Sequence, residues 1–488
     1  MAQREHPSSI LITHIRLIDG TGTPARNASV RIQNDRIKEI GNLKAQPGEQ
    51  VIDGKGKALA PGFIDTHSHL GGSLDNHPDA LAAVSQGVTT IISGQDGYGD
   101  AIDSLHARFS QQAPAINVAT YTGHTMLREK VMGAHLDRPA TAEELEKMKV
   151  LLKTEMQKGS LGLSTGLEYE GAVFSSTEEI LDLSRTVAEF HGRYISHIRS
   201  EDIRMPEAID EIIRIGRETH IPVQISHIKI ALKDDWGTAA RLLAKLEAVR
   251  AEGIDITADC YPYLYWSSTL KVLFPKTDYT SLESAQFAVD HTFDPAHSYL
   301  VRFAPNKTYA GQSISAIAAS QHQTPAATLI SLIAQADQYQ KANPDSGNVE
   351  GIVATSMRED DLMDFLAWPH TNIGSDGSNG GHPRGYGTFP RILGRYVREK
   401  HLFSLESAVF KMTGLAAEHC GLEKRGILTP GNYADLVLFD PDTIKDNATI
   451  EKSKTLSDGI QQVWVNGICV YRQGHTTHQF PGTLITKQ

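Results

Sequence analysis

From Gly62 to Gly377 the chain repeats one hydrophobic rhythm. A short apolar run is followed by a longer stretch in which apolar residues recur every three or four positions. The short runs are GFIDTHSH (62–69), VTTIISG (88–94), INVATYTGH (116–124), LGLSTG (161–166), RYISHIR (193–199), PVQISHIK (222–229), DITADCYPY (255–263) and TNIGSDG (371–377). Runs of this length, bounded by turn residues, predict strands buried on both faces. The longer stretches, such as 141–159, 176–192, 205–220 and 238–253, predict amphipathic helices. Thr141 and Thr177, with acids behind them, read as helix caps, and Gly192 and Gly253 as stops. Eight strands alternating with helices predict an α/β fold, a TIM-like (β/α)8 barrel, whose chemistry gathers at the C-terminal strand ends.

The two ends of the chain read differently. Residues 8–58 alternate and turn, as in ILITHIRLIDG and ASVRIQNDRIKEIG, and YADLVLFDP and QQVWVNGICVYRQG mirror them near the C-terminus. Neither piece can bury a face alone, so residues 8–58 plus 427–485 are expected to form one small β-sandwich, with 59–426 as the barrel. The interval at about 267–350 breaks the rhythm and reads as an insertion between the seventh and eighth strands. A ninth strand-like run, Gly351–Thr355, is assigned to it.

Composition narrows the partners. The 488 residues carry a net charge of −11, which argues against nucleic acid or an anionic membrane as the main partner. No run approaches the length of a membrane span, and the N-terminus reads as a strand rather than a signal peptide. The three cysteines have an odd count and no CxxC spacing. That suits a reducing compartment, so the expected location is cytoplasmic.

The strand ends carry the candidate chemistry. His67 and His69 lie two apart, so on an extended strand both imidazoles face one side. Asp96 follows the second strand, His197 ends the fifth, His227 the sixth and Asp376 the eighth. Four imidazoles and two carboxylates at one barrel mouth suit a borderline divalent ion such as zinc. Read singly, each histidine is equally a hydrogen-bonded core residue, and Asp376 a helix cap.

PGFIDTHSH, the His197 and His227 strand ends, GSDG and GILTPGNYADLVLFDP resemble the amidohydrolase superfamily. GSLGLSTGLEY, TGHTMLREKVMG, ISHIKIA, DCYPY and HPRGYGTFPRILGRYVRE resemble, more narrowly, the N-acyl-D-amino-acid deacylases, or D-aminoacylases. The resemblance implies His67, His69 and Asp376 around one metal position, with His197 and His227 around a second. It implies zinc, one or two ions. The bridging lysine that many superfamily members carry at the fourth strand is absent from LSTG, and D-aminoacylases place a cysteine where this chain has Asp96. A carboxylate can bridge two ions but is harder than thiolate, so other divalent ions fit as well. Asp96 as a mere turn acid, with a single ion, is the alternative.

The reaction so implied is metal-assisted hydrolysis of the amide bond of N-acyl-D-amino acids. Asp376 takes a proton from water and passes it to the departing amine. A dipeptidase, or another cyclic or linear amidase, is the alternative. For the substrate's α-carboxylate, Lys229 lies two residues beyond His227 and can face the same mouth. The resemblance adds Tyr169, Tyr261 and Ser267, and Arg302 and Arg384 are candidate bidentate grips. Either arginine is equally a solvated charge, and Tyr261 equally a core aromatic. Glu168 and Glu201 read as supporting acids, and His124 and Arg128 as structural.

Overall fold

Eight parallel strands close on themselves in the computed structural model, which describes residues 9–487. Ser8, where the terminal unit was expected to begin, lies outside the described residues. The barrel strands are Phe63–Asp65, Val88–Ser93, Asn117–Thr120 with Thr122–Gly123, Gly162–Gly166, Arg193–His197, Val223–Ile225, Ile256–Cys260 and Thr371–Ile373. The third strand is broken at Tyr121. Asn117–Thr120 pairs with the second strand and Thr122–Gly123 with the fourth. The C-terminal tail helps there: Val118 N–H donates to the Thr483 carbonyl at 3.0 Å and Ile485 N–H to the Val118 carbonyl at 2.7 Å.

The barrel closes between its eighth and first strands at the chemistry-bearing end. Asp376 N–H donates to the His67 carbonyl at 2.7 Å and His69 N–H to the Gly377 carbonyl at 2.9 Å. Outer helices form where an apolar stripe meets the barrel; Met205–Thr219, for example, buries Ile209, Ile212, Ile213 and Gly216. Thr141 caps its helix in a capping box with Glu144. At the next helix the cap is Ser176, whose hydroxyl accepts from Glu179 N–H at 3.1 Å. Thr177, expected to cap, is inside the first turn and donates to Glu211 instead.

Both chain ends build one nine-stranded sheet. Ser9–Leu17 pairs antiparallel with Arg26–Gln33 and parallel with Gln50–Asp53 and Ala58–Pro61. Ala58–Pro61 in turn pairs with Leu436–Phe439, which joins the two termini around Ile12, Leu17, Val30, Leu436 and Trp464. The chain then turns into the barrel at Gly62, where a Cβ would come within 2.2 Å of the Thr89 side chain. Between the seventh and eighth barrel strands, Tyr265–Ser268, Tyr299–Phe303 and Glu350–Thr355 form a separate antiparallel sheet with its own apolar core. From it Lys271 reaches Glu170, on the loop after the fourth strand, at 3.1 Å. Among the described residues no helix is long and apolar enough to cross a membrane.

Candidate metal centre

Three residues at the mouth sit in left-handed backbone conformations without being glycine: Asp96 (φ +54°), His227 (φ +37°) and Asp376 (φ +49°). Such positions cost about 1–3 kcal/mol each and persist only where neighbours over-determine them. Here they are so determined. His227 N–H donates to Asp259 Oδ1 at 2.8 Å. Asp65 accepts from the Ser375 N–H at 2.7 Å and the Ser375 hydroxyl at 2.6 Å, fixing the turn before Asp376. Burial pushes the Asp65 carboxyl up to about 6, against those same hydrogen bonds. The Asp96 turn is held by the Gln95 carboxamide on the Thr66 and Ile92 carbonyls and by Gly97 N–H on the Ser164 hydroxyl.

These turns bring the ligand atoms together. One group is His67, His69, Asp96 and Asp376; another is Asp96, His197 and His227; within each, the donor atoms lie within 4.8 Å of one another. Asp96 belongs to both. Its Oδ1 is 3.5 Å from His67 Nε2 and 3.7 Å from His227 Nε2, and its Oδ2 is 3.3 Å from His69 Nε2. Asp376 Oδ1 is 3.2 Å from His69 Nε2 and 3.6 Å from His67 Nε2.

A divalent ion fits this donor set on two observations. Both ring nitrogens of fully buried His67, and Asp96 Oδ1, have no hydrogen-bond partner. His197 Nδ1 and His227 Nε2 face each other at 3.0 Å, while the far nitrogen of each ring meets a carboxylate: Glu168 Oε2 at 2.8 Å and Glu201 Oε1 at 2.9 Å. If His197 Nε2 donates to Glu168, its inward nitrogen carries only a lone pair, while at His227 the Lys229 ammonium, 2.8 Å away, competes for Nδ1. Carboxylates behind ligating imidazoles are the usual means of fixing that tautomer.

A cationic wall flanks the group. Arg384 Nη1 is 2.7 Å from Asp376 Oδ2, and its guanidinium carbon lies 4.7 Å from the Tyr261 ring centroid. The angle at that short contact is outside the hydrogen-bond range, so Nε and Nη1 of buried Arg384 stay unpartnered, as does the buried Tyr261 hydroxyl. Burial raises the Asp376 pKa, but the Arg384 charge and the His69 hydrogen bond outweigh it and hold the carboxyl well below the usual range. Arg384 opens the helix Arg384–Arg391, and its N–H donates to His382 Nδ1 at 2.9 Å. His382 Nε2 meets the Tyr265 carbonyl at 2.9 Å, and burial with the Arg384 charge keeps this imidazole neutral. Pro390, inside that helix, leaves the Tyr386 carbonyl free for the Ser457 hydroxyl at 2.9 Å.

The family model described as "Amidohydrolase family" matches residues 50–371 and 369–471. The chain belongs to the amidohydrolase family. This amidohydrolase is 34% identical to D-aminoacylase of Alcaligenes xylosoxydans xylosoxydans, over 99% of this chain and 98% of the relative. It is 34% identical to N-acyl-D-aspartate deacylase of the same organism, over 98% and 95%. A crystal structure of N-acyl-D-glutamate deacylase from Bordetella bronchiseptica, complexed with zinc and a phosphonate mimic of the tetrahedral intermediate, superposes with a TM-score of 0.87. It is 32% identical, over 98% of this chain and 99% of that one.

The amidohydrolase fold thus gathers His67, His69, Asp96, His197, His227 and Asp376 at one mouth, with Tyr261 and Arg384 beside them. Tyr169 joins them through its hydroxyl, 3.2 Å from His197 Nδ1. Lys229 is near but occupied: its ammonium is 2.5 Å from Glu201 Oε1 and 2.8 Å from His227 Nδ1. It supports His227, because a buried cation takes the nearest carboxylate. Arg302 is not brought to the site. It stands exposed on the insertion sheet and donates to the Asn348 carbonyl at 2.8 Å. Ser267, on the opposite outer strand of that sheet, makes no side-chain hydrogen bond to any of these residues. Asp259 and His382, not singled out in the sequence, are positioning groups. Asp259 stands in DCYPY, but nothing in that string marks its contacts with the His227 N–H and, at 3.5 Å, His67 Nδ1.

Proposed function

We propose that this amidohydrolase is an N-acyl-D-amino-acid deacylase, hydrolysing the amide bond to a carboxylate and a D-amino acid. The observation that carries this reading is one mouth combining two lone-pair donor groups that share Asp96 with an unsatisfied guanidinium and phenol beside them. The D configuration rests on the relatives, which are named for D-amino acids.

His67, His69, Asp96 and Asp376 would hold one divalent ion, and Asp96, His197 and His227 a second, with zinc the metal expected from the relatives. When bound there, such an ion lowers the pKa of a water and polarises the substrate carbonyl. The chain's own residues do the rest. Arg384, through its unpartnered Nε, and the Tyr261 hydroxyl receive the α-carboxylate, while Nη1 keeps its contact with Asp376. That seat sets the acyl carbonyl against the ligand group and fixes the reacting geometry. Asp376, ionised at neutral pH, accepts a proton from the attacking water at its carboxylate and returns it to the departing nitrogen. Oxygen ends on the acyl carbon and the proton on the amine, so the two carboxylate steps balance.

The test is hydrolysis of paired N-acetyl-D- and N-acetyl-L-amino acids by the zinc-loaded protein, before and after chelator. Turnover of the D series alone, lost with chelator, is the expected result. An L preference refutes the deacylase assignment, and activity indifferent to chelator refutes the metal.

A further inference from the structure

The charge around the mouth is divided by side, and the division discriminates between substrates. An α-carboxylate on Arg384 and Tyr261 lies next to the seventh and eighth strands. Across the ligand group, the loops after the fourth and fifth strands carry Glu168, Glu170, Glu201 and Asp202. The lysines among these acids, and Arg199, are already paired. Lys229 is on Glu201 at 2.5 Å, Lys271 on Glu170 at 3.1 Å and Asp337 at 3.0 Å, and Arg199 on Glu211 at 2.8 Å. Arg204 is exposed at the cap of the helix Met205–Thr219, and Arg302 is turned to the Asn348 carbonyl.

Glu168 is the critical residue. Its side chain is 17% exposed, and its recorded charged partner is the His197 imidazole, with no lysine or arginine in ion-pair range among the described residues. Burial, with the charge of Glu168 beside it, pushes the nearby Asp202 carboxyl up to about 6.

We propose, resting on the deacylase reading above, that this enzyme selects N-acyl-D-amino acids with neutral or cationic side chains and rejects acidic ones. A second carboxylate on the substrate faces Glu168, and the guanidinium of the loop after the fifth strand that is without an ion pair among the described residues, Arg204, stands exposed at the helix cap. Sequence identity alone does not decide the matter: it is 34% to D-aminoacylase, 33% to N-acyl-D-glutamate deacylase and 34% to N-acyl-D-aspartate deacylase.

The experiment compares near-isosteric pairs, N-acetyl-D-glutamine with N-acetyl-D-glutamate and N-acetyl-D-asparagine with N-acetyl-D-aspartate, on zinc-loaded wild type and Glu168→Gln. Like charges about 5 Å apart in a partly wet site predict a kcat/KM preference for the amide of about a hundredfold in wild type. Glu168→Gln keeps an acceptor for His197, removes the charge from which that figure comes, and should abolish most of the preference. Equal or acid-preferring ratios in wild type overturn the proposal, as does a ratio unmoved in the variant. If the variant is too slow to assay, the inhibition constants of free D-glutamine and D-glutamate on wild type read the same contrast. Tighter glutamine supports the proposal and parity overturns it. If folded, metal-loaded wild type hydrolyses none of the four, the deacylase reading itself has failed, and this proposal with it.

Discussion

Replacing Glu179 by Gln should destabilise the protein by a pH-dependent amount whose sign follows from the ion pair the side chain makes. Glu179 is the anion of a buried network between two mouth loops. The Arg128 guanidinium, fully buried, donates to both Glu179 oxygens and to the Gly171, Leu136 and Arg138 carbonyls, which uses all its N–H groups. Gly171 lies on the loop that carries Glu168 and Tyr169, and His124 Nε2 meets Glu179 Oε1 at 2.8 Å. Burial raises the Glu179 pKa, but the His124 hydrogen bond and the Arg128 charge outweigh it and bring the carboxyl from 4.5 down to about 2. The difference, 4.5 − 2 = 2.5, is worth about 3 kcal/mol at 1.36 kcal/mol per unit. Because the folded value is the depressed one, this stability is fully present above the unfolded pKa of 4.5 and is lost as pH falls toward 2. Glu179→Gln should therefore cost about 3 kcal/mol at pH 7, or about 3 °C in Tm for a chain of this length, and roughly half as much at pH 3. Thermal unfolding of wild type and variant at the two pH values reads the gap. A gap that stays constant or widens toward acid would refute the ionised, paired state assigned to Glu179.

Further outcomes follow from the mouth. Asp376→Asn should keep its melting temperature within a few degrees and lose turnover by about 10³-fold, read by steady-state kinetics; near-normal kcat would remove the proton shuttle. Arg384→Lys should raise KM for a free-carboxylate substrate by about tenfold and leave the corresponding methyl ester little changed, because an ammonium cannot reproduce the bidentate grip. Equal effects on acid and ester would argue against carboxylate binding there. Arg302→Ala should stay within about twofold of wild type in kcat/KM, since the side chain is exposed and turned from the site. A large loss would mean that the insertion rearranges when substrate binds.

Much of this was legible in the chain. The alternation of strand and helix predicted the barrel, because buried parallel strands leave continuous apolar runs between helix-period stretches; Gly351–Thr355, a run of the same kind, lies in the insertion sheet. His67 and His69 were readable as a pair. Their strand ends in regular pairing at Asp65, but the Ser68–Gly377 bridge keeps the backbone extended through them. Asp96, His227 and Asp376 were readable as residue types at strand ends, not as left-handed residues, since the modest enrichment of Asp and His in that region does not single out these positions. Lys229 shows the limit of spacing arguments. Two residues from His227 it does face the mouth, yet which carboxylate it meets there depends on Glu201, from another strand's loop. Arg302 failed for the same reason: its partner, Asn348, is set by the register of a sheet inside an insertion with no readable period. Ser176 replaced Thr177 as cap because capping depends on which hydroxyl sits on extended backbone, a matter of one residue.

Six side chains from five strand ends converge on one mouth and would hold the divalent metal. The direct test is the metal content of wild type and of His197→Ala/His227→Ala, loaded with zinc, desalted and measured by plasma mass spectrometry. Wild type should retain between about one and two ions per chain, and the double variant, still folded, should lose at least one of them. Wild type that emerges folded and active with no bound metal, or a double variant that retains the full complement, would contradict that role.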